Sequence, residues 1–458
     1  MSRILISIFT VFSVALTAQS SFNLEEAIDY AIKHSCEMQI SQLDQADAEA
    51  RITEFKATGL PQVNGGIDYN YYFFTPAVPV EDFISPAVYG ILENEFPGEV
   101  VSPPGPPTFQ EFSFFTKHNL TAQVTASMLL FDGSYLTGVK AAKLYKDLTT
   151  KRRDVIEEEV KTAVTKAYMN ILIAEENKNT LETNLSTIEK SLKEAEAYYE
   201  NGFIERLEVT RIDLSKETLQ AEITKVDQLI NISKNLLKFQ MAYPLSNPIE
   251  LTEDLETLVN IFNAESDLSD IEIDFSKKAQ FRQIEMGQEL NELNIERLKK
   301  GYLPNVVARA GVSEALQRNN LFGENEAGWI PTVYAGLAIN VPITDGKRKQ
   351  AMIQQAEIEQ RKTQIQKEEY QRSIAMQVET ARLQHANAKT SLANNKRIME
   401  VTQDIYDTTL IKFGEGVGSS LEVTQAESDL HQAQSAYINS LYDLLITKTD
   451  LDIALGEL

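Results

Sequence analysis

In a chain of 458 residues, 67 acidic side chains against 43 basic ones leave a net charge of −24, which excludes nucleic acid as a partner because phosphate recognition needs a basic surface. The single cysteine, Cys36, cannot form an intramolecular disulfide, and its place in a predicted helix gives it the role of a packed thiol. No P-loop, no Gly-x-Gly-x-x-Gly after a strand, no His-Glu-x-x-His and no Cys-x-x-Cys occurs; His34, His118, His385 and His431 are scattered, so nothing asks for an enzyme, a cofactor or a metal.

Residues 4 to 18 form the only long apolar run, following Arg3 and ending at Ala15, Ala18 and Gln19. This is a signal peptide over residues 1–19, with cleavage near Ala18/Gln19, and it is too short to span a bilayer. No transmembrane helix follows, so an exported chain that still meets a membrane must either dock on it or close strands into a barrel.

The remainder divides into a first repeat (20–243), an acidic linker (244–275) and a second repeat (276–458). In the first repeat, Gly59-Leu60-Pro61 ends a helix, since glycine favours the C-terminal turn and proline cannot continue it. Strands are expected at about 61–74 and 117–131. Val63, Ile67, Tyr69, Tyr71 and Phe73 alternate with Gln62, Asn64, Asp68 and Asn70; Leu120, Ala122, Val124, Ala126, Met128 and Leu130 alternate with polar neighbours. Between these strands, residues 75 to 116 hold eight of the fourteen prolines, which reads as a long loop covering an external mouth. Asp132-Gly133 opens a proline-free helix reaching Glu200, about 100 Å long at 1.5 Å per residue. A turn at about 200–206 returns into a helix with Val209, Ile223, Ile230 and Leu237 in a heptad register, interrupted at Lys216.

The linker crowds Glu250, Glu253, Asp254, Glu256, Glu265, Asp267, Asp270, Glu272 and Asp274 between the halves and reads as a collar around the helices. It lacks the ordered spacing of a calcium loop.

The second repeat restates the first. Gly301-Tyr302-Leu303-Pro304 leads into strands at about 303–317 and 331–343, where Val333, Ala335, Leu337, Ile339, Val341 and Ile343 form the cleanest apolar row. Asp345-Gly346 opens another long helix, a tip at about 414–420 follows, and Val423, Leu430, Tyr437, Leu444 and Leu451 recur every seven residues. Leu207-Glu208-Val209-Thr210 returns as Leu421-Glu422-Val423-Thr424, so Tyr199 aligns with Phe413 and Gly202 with Gly416.

Strands with one apolar face fit either a half-buried antiparallel sheet or an outer-membrane barrel, and helices of this length attached to them favour the barrel. Tyr72, Phe74, Phe112, Phe114, Phe115, Trp329 and Tyr334 are the candidate membrane girdle. Four strands cannot close a barrel, so the chain must oligomerise: two copies give about eight strands and three give about twelve, the latter with room for a pore. A periplasmic coiled-coil adaptor or scaffold without a pore is the rival reading.

The duplicated Leu-Pro strand start, the turn Val341-Pro342-Ile343-Thr344-Asp345-Gly346, the tip pattern Gly-x-x-x-x-Leu-Glu-Val and the terminal Ala454-Leu455-Gly456 together resemble the TolC family of outer-membrane efflux and secretion channels. The resemblance implies an α+β membrane protein: a homotrimer whose twelve-stranded barrel sits in outer-membrane lipid and continues as a periplasmic helical coiled-coil barrel. It also implies an exit duct that meets a periplasmic adaptor and, through it, an inner-membrane pump. Glu208 and Glu422 stand where such proteins place an acidic ring at the periplasmic entrance. The positions of an entrance latch fall on Phe413, Gly418 and Gln425, none of which supplies the usual aromatic hydroxyl, arginine or acid; Tyr199 and Arg206 are the substitute candidates. At the tips, Gly202 and Gly416 serve the turns, while Phe203, Ile204 and Val417 look like adaptor contacts.

Overall fold

A computed structural model describes residues 21–82, 84–98, 109–113, 115–255, 259, 273–323 and 328–457. The expected signal peptide, Phe114, most of the linker acids and the prolines at 103, 104, 106 and 107 lie outside the described residues. The chain divides into two compact units.

The first unit takes the described residues up to Ala50, with Lys143–Glu292 and Glu357–Leu458. It begins with β1 (Ser21–Phe22) and α1 (Leu24–His34), which opens on a capping box: Asn23 Oδ1 accepts the Glu26 N–H at 2.7 Å, and Glu26 Oε2 accepts the Asn23 N–H at 3.0 Å. α2 (Cys36–Ala57) follows at once, and Cys36 at its start is exposed, a correction to the packed thiol expected of it.

The second unit, Arg51–Ala142 with Leu293–Ala356, carries the strands. β2 (Gln62–Tyr71) is followed by an insertion: β3 (Ala77–Glu81), α3 (Ile84–Glu95) and β4 (Phe109–Ser113). The segment read as a loop therefore holds a two-stranded antiparallel sheet of its own, in which Pro79 faces Glu111. A strand with a single partner leaves one edge unpaired and so tolerates a residue without an N–H. β5 (His118–Phe131) then leads into α4 (Gly133–Glu200), α5 (Arg206–Met241) and β6 (Glu250–Leu251), which pairs in parallel with β1. After a 3-10 turn at Phe275–Lys277 come α6 (Ala279–Lys300), β7 (Asn305–Arg318), β8 (Ile330–Asn340), α7 (Arg348–Gly414) and α8 (Ser420–Leu455). The duplication is written in the lengths: α4 and α7 run 68 and 67 residues, and α5 and α8 run 36 each.

Within the first unit, the heptad positions of α8 face inward. Val423, Leu430, Leu444 and Leu451 are all below 5% exposed, and Ala426, Ala433 and Ala454 are buried beside them. Each buried leucine contributes about 1.5–3 kcal/mol. Near the amino-terminus, Phe22, Tyr168, Leu237, Met241 and Tyr243 form another core, where the Tyr168 hydroxyl donates to the Phe22 carbonyl at 3.1 Å. Lys278 is a buried cation of this unit, and its ammonium meets Glu158 at 3.1 Å and the Ile453 carbonyl at 2.7 Å.

The four long strands of the second unit form one antiparallel sheet in the order β2-β5-β7-β8. Its register puts Val63, Ala126, Ala310 and Ala335 in one row and Val124, Val312 and Val333 in the next. Since side chains alternate between faces, Thr125, Ser127, Arg309 and Ser313 share the opposite one. The apolar face is uncovered in a single chain: Ile67, Val333 and Leu337 are 77, 75 and 68% exposed. Glu314 interrupts it, level with Ala122 and Pro331. Among the described residues no helix is long and apolar enough to cross a membrane.

Candidate functional site

The two hairpin tips are built by the same backbone device. In the first, the Gly202 N–H bonds to the Tyr199 carbonyl and the Phe203 N–H to the Tyr198 carbonyl, both at 2.9 Å; in the second, Gly416 bonds to Phe413 and Val417 to Lys412, both at 3.0 Å. These paired bonds close a Schellman turn, which requires a left-handed residue, and Gly202 and Gly416 supply φ of 79° and 74°. Gly418 has a different duty. A Cβ there would sit 3.1 Å from the Phe413 nitrogen and 3.2 Å from the Lys412 carbonyl carbon, so a side chain would crowd the backbone and require it to give by a few tenths of an ångström.

The tips are joined to one another by two hydrogen bonds. The carboxylate of Glu208 accepts the backbone N–H of Ser420 at 2.8 Å, and the hydroxyl of Tyr198 donates to the carbonyl of Gly414 at 2.9 Å. Ser420 starts α8, whose cap is Ser419: its Oγ accepts the Glu422 N–H at 3.3 Å. Glu205, the corresponding residue of α5, makes no side-chain cap bond. Glu208 thus caps the helix of the other hairpin, and Arg211 stands 3.8 Å from its other oxygen. Glu422 is exposed.

The remaining expected tip residues separate by burial. Phe413 is only 6% exposed and packs with Leu192, Ile212 and Val423, so it is core rather than a reaching latch; Tyr199, its counterpart, is 44% exposed. Ile204 is half-buried against the same cluster, whereas Phe203 and Val417 stay 76 and 79% exposed. Gln425 donates to Asp429 at 2.9 Å along its own helix. Arg206 is exposed, and among the described residues no side-chain bond within the chain holds it.

Tyr198 and Ser420 are contacts that sequence inspection passes over. Ser419-Ser420-Leu421-Glu422 does carry a legible N-cap signal, Ser-x-x-Glu, which marks the start of α8. Nothing in the pair Tyr198-Tyr199 tells which ring turns toward the neighbouring hairpin. Deeper in the same packing, burial pushes the Glu427 carboxyl above the usual carboxylate range, opposed by a hydrogen bond from Ser215, and burial with the Glu427 charge raises the Tyr406 phenol.

On the sheet, the aromatic residues distribute less simply than a girdle. Tyr334 pairs with Gly311 and lies on the polar face beside Thr125; its ring covers the glycine so closely that a Cβ on Gly311 would meet Tyr334 Cε1 at 2.6 Å. This removes Tyr334 from the apolar face. The Tyr72 N–H bonds to the Lys117 carbonyl at 2.8 Å, and its ring stands 6.4 Å from that of Phe115. Phe74 is 92% and Trp329 49% exposed. Phe112 belongs to β4, in the separate small sheet, and Phe114 lies outside the described residues. Tyr69 and Tyr71, by contrast, do stand on the apolar face at its far end, and the Tyr69 hydroxyl is 2.8 Å from His118 Nδ1.

Residues 276–457 match the family described as outer membrane efflux protein. Among solved structures, the chain is similar to CusC, a protein that forms a transmembrane channel, with 16% identity, a TM-score of 0.69, and coverage of 95% of this chain and 92% of that one. The outer membrane protein VceC of Vibrio cholerae matches at 15% identity with a TM-score of 0.67, covering 94% of this chain and 96% of that one. The MtrE outer membrane channel of Neisseria gonorrhoeae, solved in its open state, matches at 15% identity with a TM-score of 0.70, covering 95% and 89%. No curated protein sequence matches the chain.

Proposed function

Because residues 276–457 belong to the outer membrane efflux protein family and nearly the whole chain adopts the fold of solved outer-membrane channels, we propose that this protein is the outer-membrane exit duct of a tripartite efflux or type I secretion system. It passes substrates from the periplasm and an inner-membrane pump to the exterior. One observation carries the reading beyond likeness of fold: a four-stranded sheet, open at β2 and β8, exposes an apolar face interrupted only at Glu314 among its described paired rows. Open edges and an uncovered apolar face are costly in water, and joining β8 of one copy to β2 of the next removes both by closing a barrel in lipid. Three copies give about twelve strands, enough to enclose a pore lined by the polar rows, and a scaffold without a pore has no use for such a face.

In this reading the helical hairpins form a periplasmic tunnel, with Glu208 and Glu422 recurring around its entrance. The exposed apolar tips at Phe203 and Val417 are where an adaptor protein binds, and a pump that supplies the energy reaches the duct through it. The test is to extract the mature protein from membranes, measure its oligomeric mass in detergent, and record current across planar lipid bilayers. Discrete conductance steps from a trimeric protein are expected. A soluble, monomeric protein that never conducts defeats the proposal.

A further inference from the structure

Where β2 begins and β5 ends, the second unit holds a cavity of about 410 Å³, within the ~300–1,000 Å³ of small-molecule sites. The sheet supplies Gln62, Ser127, Met128, Leu129 and Val307 to its wall, and the register pairs Gln62 with Ser127 and Leu129 with Val307. Both pairs stand on the polar face, the side of the sheet that lines the pore in the channel reading. The end of α2 and the start of α4 complete the wall with Phe55 and Tyr135, whose rings stack at 6.2 Å between centroids.

Apart from Ser127, the side-chain donors of this wall are spent on the chain itself. The Tyr135 hydroxyl donates to the Lys56 carbonyl at 3.0 Å, the Thr58 hydroxyl to the Phe55 carbonyl at 2.7 Å, and the Gln62 amide to the Ala57 carbonyl at 2.8 Å. Asp132 caps α4: one carboxylate oxygen accepts the Ser134 and Tyr135 N–H groups at 2.7 and 3.0 Å and the Ser134 hydroxyl at 2.6 Å. What remains toward the cavity is chiefly aromatic and aliphatic surface.

One rim differs. Ser127 pairs across the strands with Arg309, and Val307 precedes Arg309 on the same face of β7, so the arginine borders the cavity on two sides. Paired side chains on one face start about 4.5–5.5 Å apart, within easy reach of a guanidinium. Among the described residues, neither the Ser127 nor the Arg309 side chain has a hydrogen bond or ion pair within the chain. Arg309 is also the only cation on the described paired rows of the polar face, and Asp68, the only anion there, is separated from it by the rows of Thr125 and Gln123. An apolar hollow with an unpaired cation and hydroxyl at one rim matches a ligand with an apolar body and an anionic head. We propose that this cavity binds a single-chain amphipathic carboxylate, its chain against Phe55, Leu129 and Val307 and its head on the Ser127 hydroxyl and the Arg309 guanidinium. The site rests on the channel reading for its role, a station in the pore wall that holds a passenger during export.

The test is photolabelling of the full chain in membranes with dodecanoate carrying a diazirine at its methyl end, the labelled peptides being mapped by mass spectrometry. Label on Phe55, Leu129, Tyr135 or Val307 is expected, falling about tenfold in Arg309→Gln, where a charge-assisted bond is lost, and largely kept in Arg309→Lys. Val307→Trp, which fills the cavity, removes it. Photoreactive dodecanol, the same chain without the charge, labels wild type and Arg309→Gln alike. Dodecanoate label confined to other peptides, or equal in wild type and Arg309→Gln, overturns the site. Phosphatidylglycerol with a photoreactive chain separates the sources: label from this lipid and none from dodecanoate overturns the passenger. Oligomeric mass and conductance of the same preparations keep the two readings apart. A trimeric, conducting protein that takes no label overturns the site alone, while a monomeric, silent protein that labels as expected overturns the channel reading and leaves the site.

Discussion

Glu208 and Ser420 stand 212 residues apart in the chain, yet the carboxylate of one accepts the backbone N–H of the other at 2.8 Å. A helix start leaves its first N–H groups without partners, and a carboxylate there satisfies one of them while complementing the helix dipole. Glu208→Ala is expected to destabilise the helical unit by about 1–2 kcal/mol, and Glu208→Gln by roughly half as much, because the amide oxygen still accepts but without charge. Guanidinium unfolding followed by circular dichroism checks the order; equal midpoints for wild type and the alanine variant sink it.

Two neighbouring glycines at the second tip should respond in opposite directions. A Cβ on Gly418 meets backbone atoms at 3.1 and 3.2 Å, while a Cβ on Gly414 meets nothing within 4 Å. Gly418→Ala is expected to cost about 1–3 kcal/mol, since backbone cannot step aside as a side chain can. Gly414 lies at the end of a helix with room to spare, so alanine there gains up to about 1 kcal/mol. Thermal melts of the two variants side by side measure the difference.

The ends of α5 and α8 make another such pair. Ala242 and Gly456 are related by the internal repeat, and both cap their helices in the left-handed conformation, at φ of 53° and 73°. Alanine suffers about 1–2 kcal/mol in that region, partly offset by the extra entropy glycine loses on folding. Ala242→Gly should therefore stabilise by several tenths of a kcal/mol to about 1 kcal/mol. Gly456→Ala should destabilise more strongly, because its Cβ would also press on Lys277 at 3.0 Å. A shift of the same sign in both variants refutes the explanation.

Glu427 gives the hairpins a pH dependence whose sign follows from burial. Its carboxyl titrates above the ordinary glutamate value of 4.5 in the folded chain, so between that value and the raised one the folded state holds more protons than the unfolded state. Stability then falls as pH rises through this window, and the full penalty persists above it. Glu427→Gln is expected to raise the unfolding midpoint at pH 7 and to flatten the profile above the ordinary glutamate value of 4.5. Midpoints recorded at half-unit pH steps decide it; a variant less stable than wild type at pH 7 shows that the charge is compensated.

The sequence by itself determined the class of the fold: two copies of a helix, strand, strand, helix, helix module, with four alternating strands and two long hairpins. Those features are local. A period of two marks a strand, a period of seven marks a coiled-coil seam, and glycines mark the tight turns, each written in consecutive residues such as Val333 to Ile339 or Val423 to Leu451. Only the tertiary structure decided which side chains meet. Tyr334 reads as a girdle residue until the register with Gly311 turns it to the polar face, and Tyr198 rather than Tyr199 reaches the other tip. Cys36 is exposed at the start of α2 while Met38, two residues on, is buried, and the proline-rich segment hides a small sheet that its composition does not announce. The physical reason is common to all four. One residue of shift along a strand reverses its face, and about 100° of rotation along a helix selects a different neighbour, so contacts between distant segments depend on a register that neither segment encodes alone.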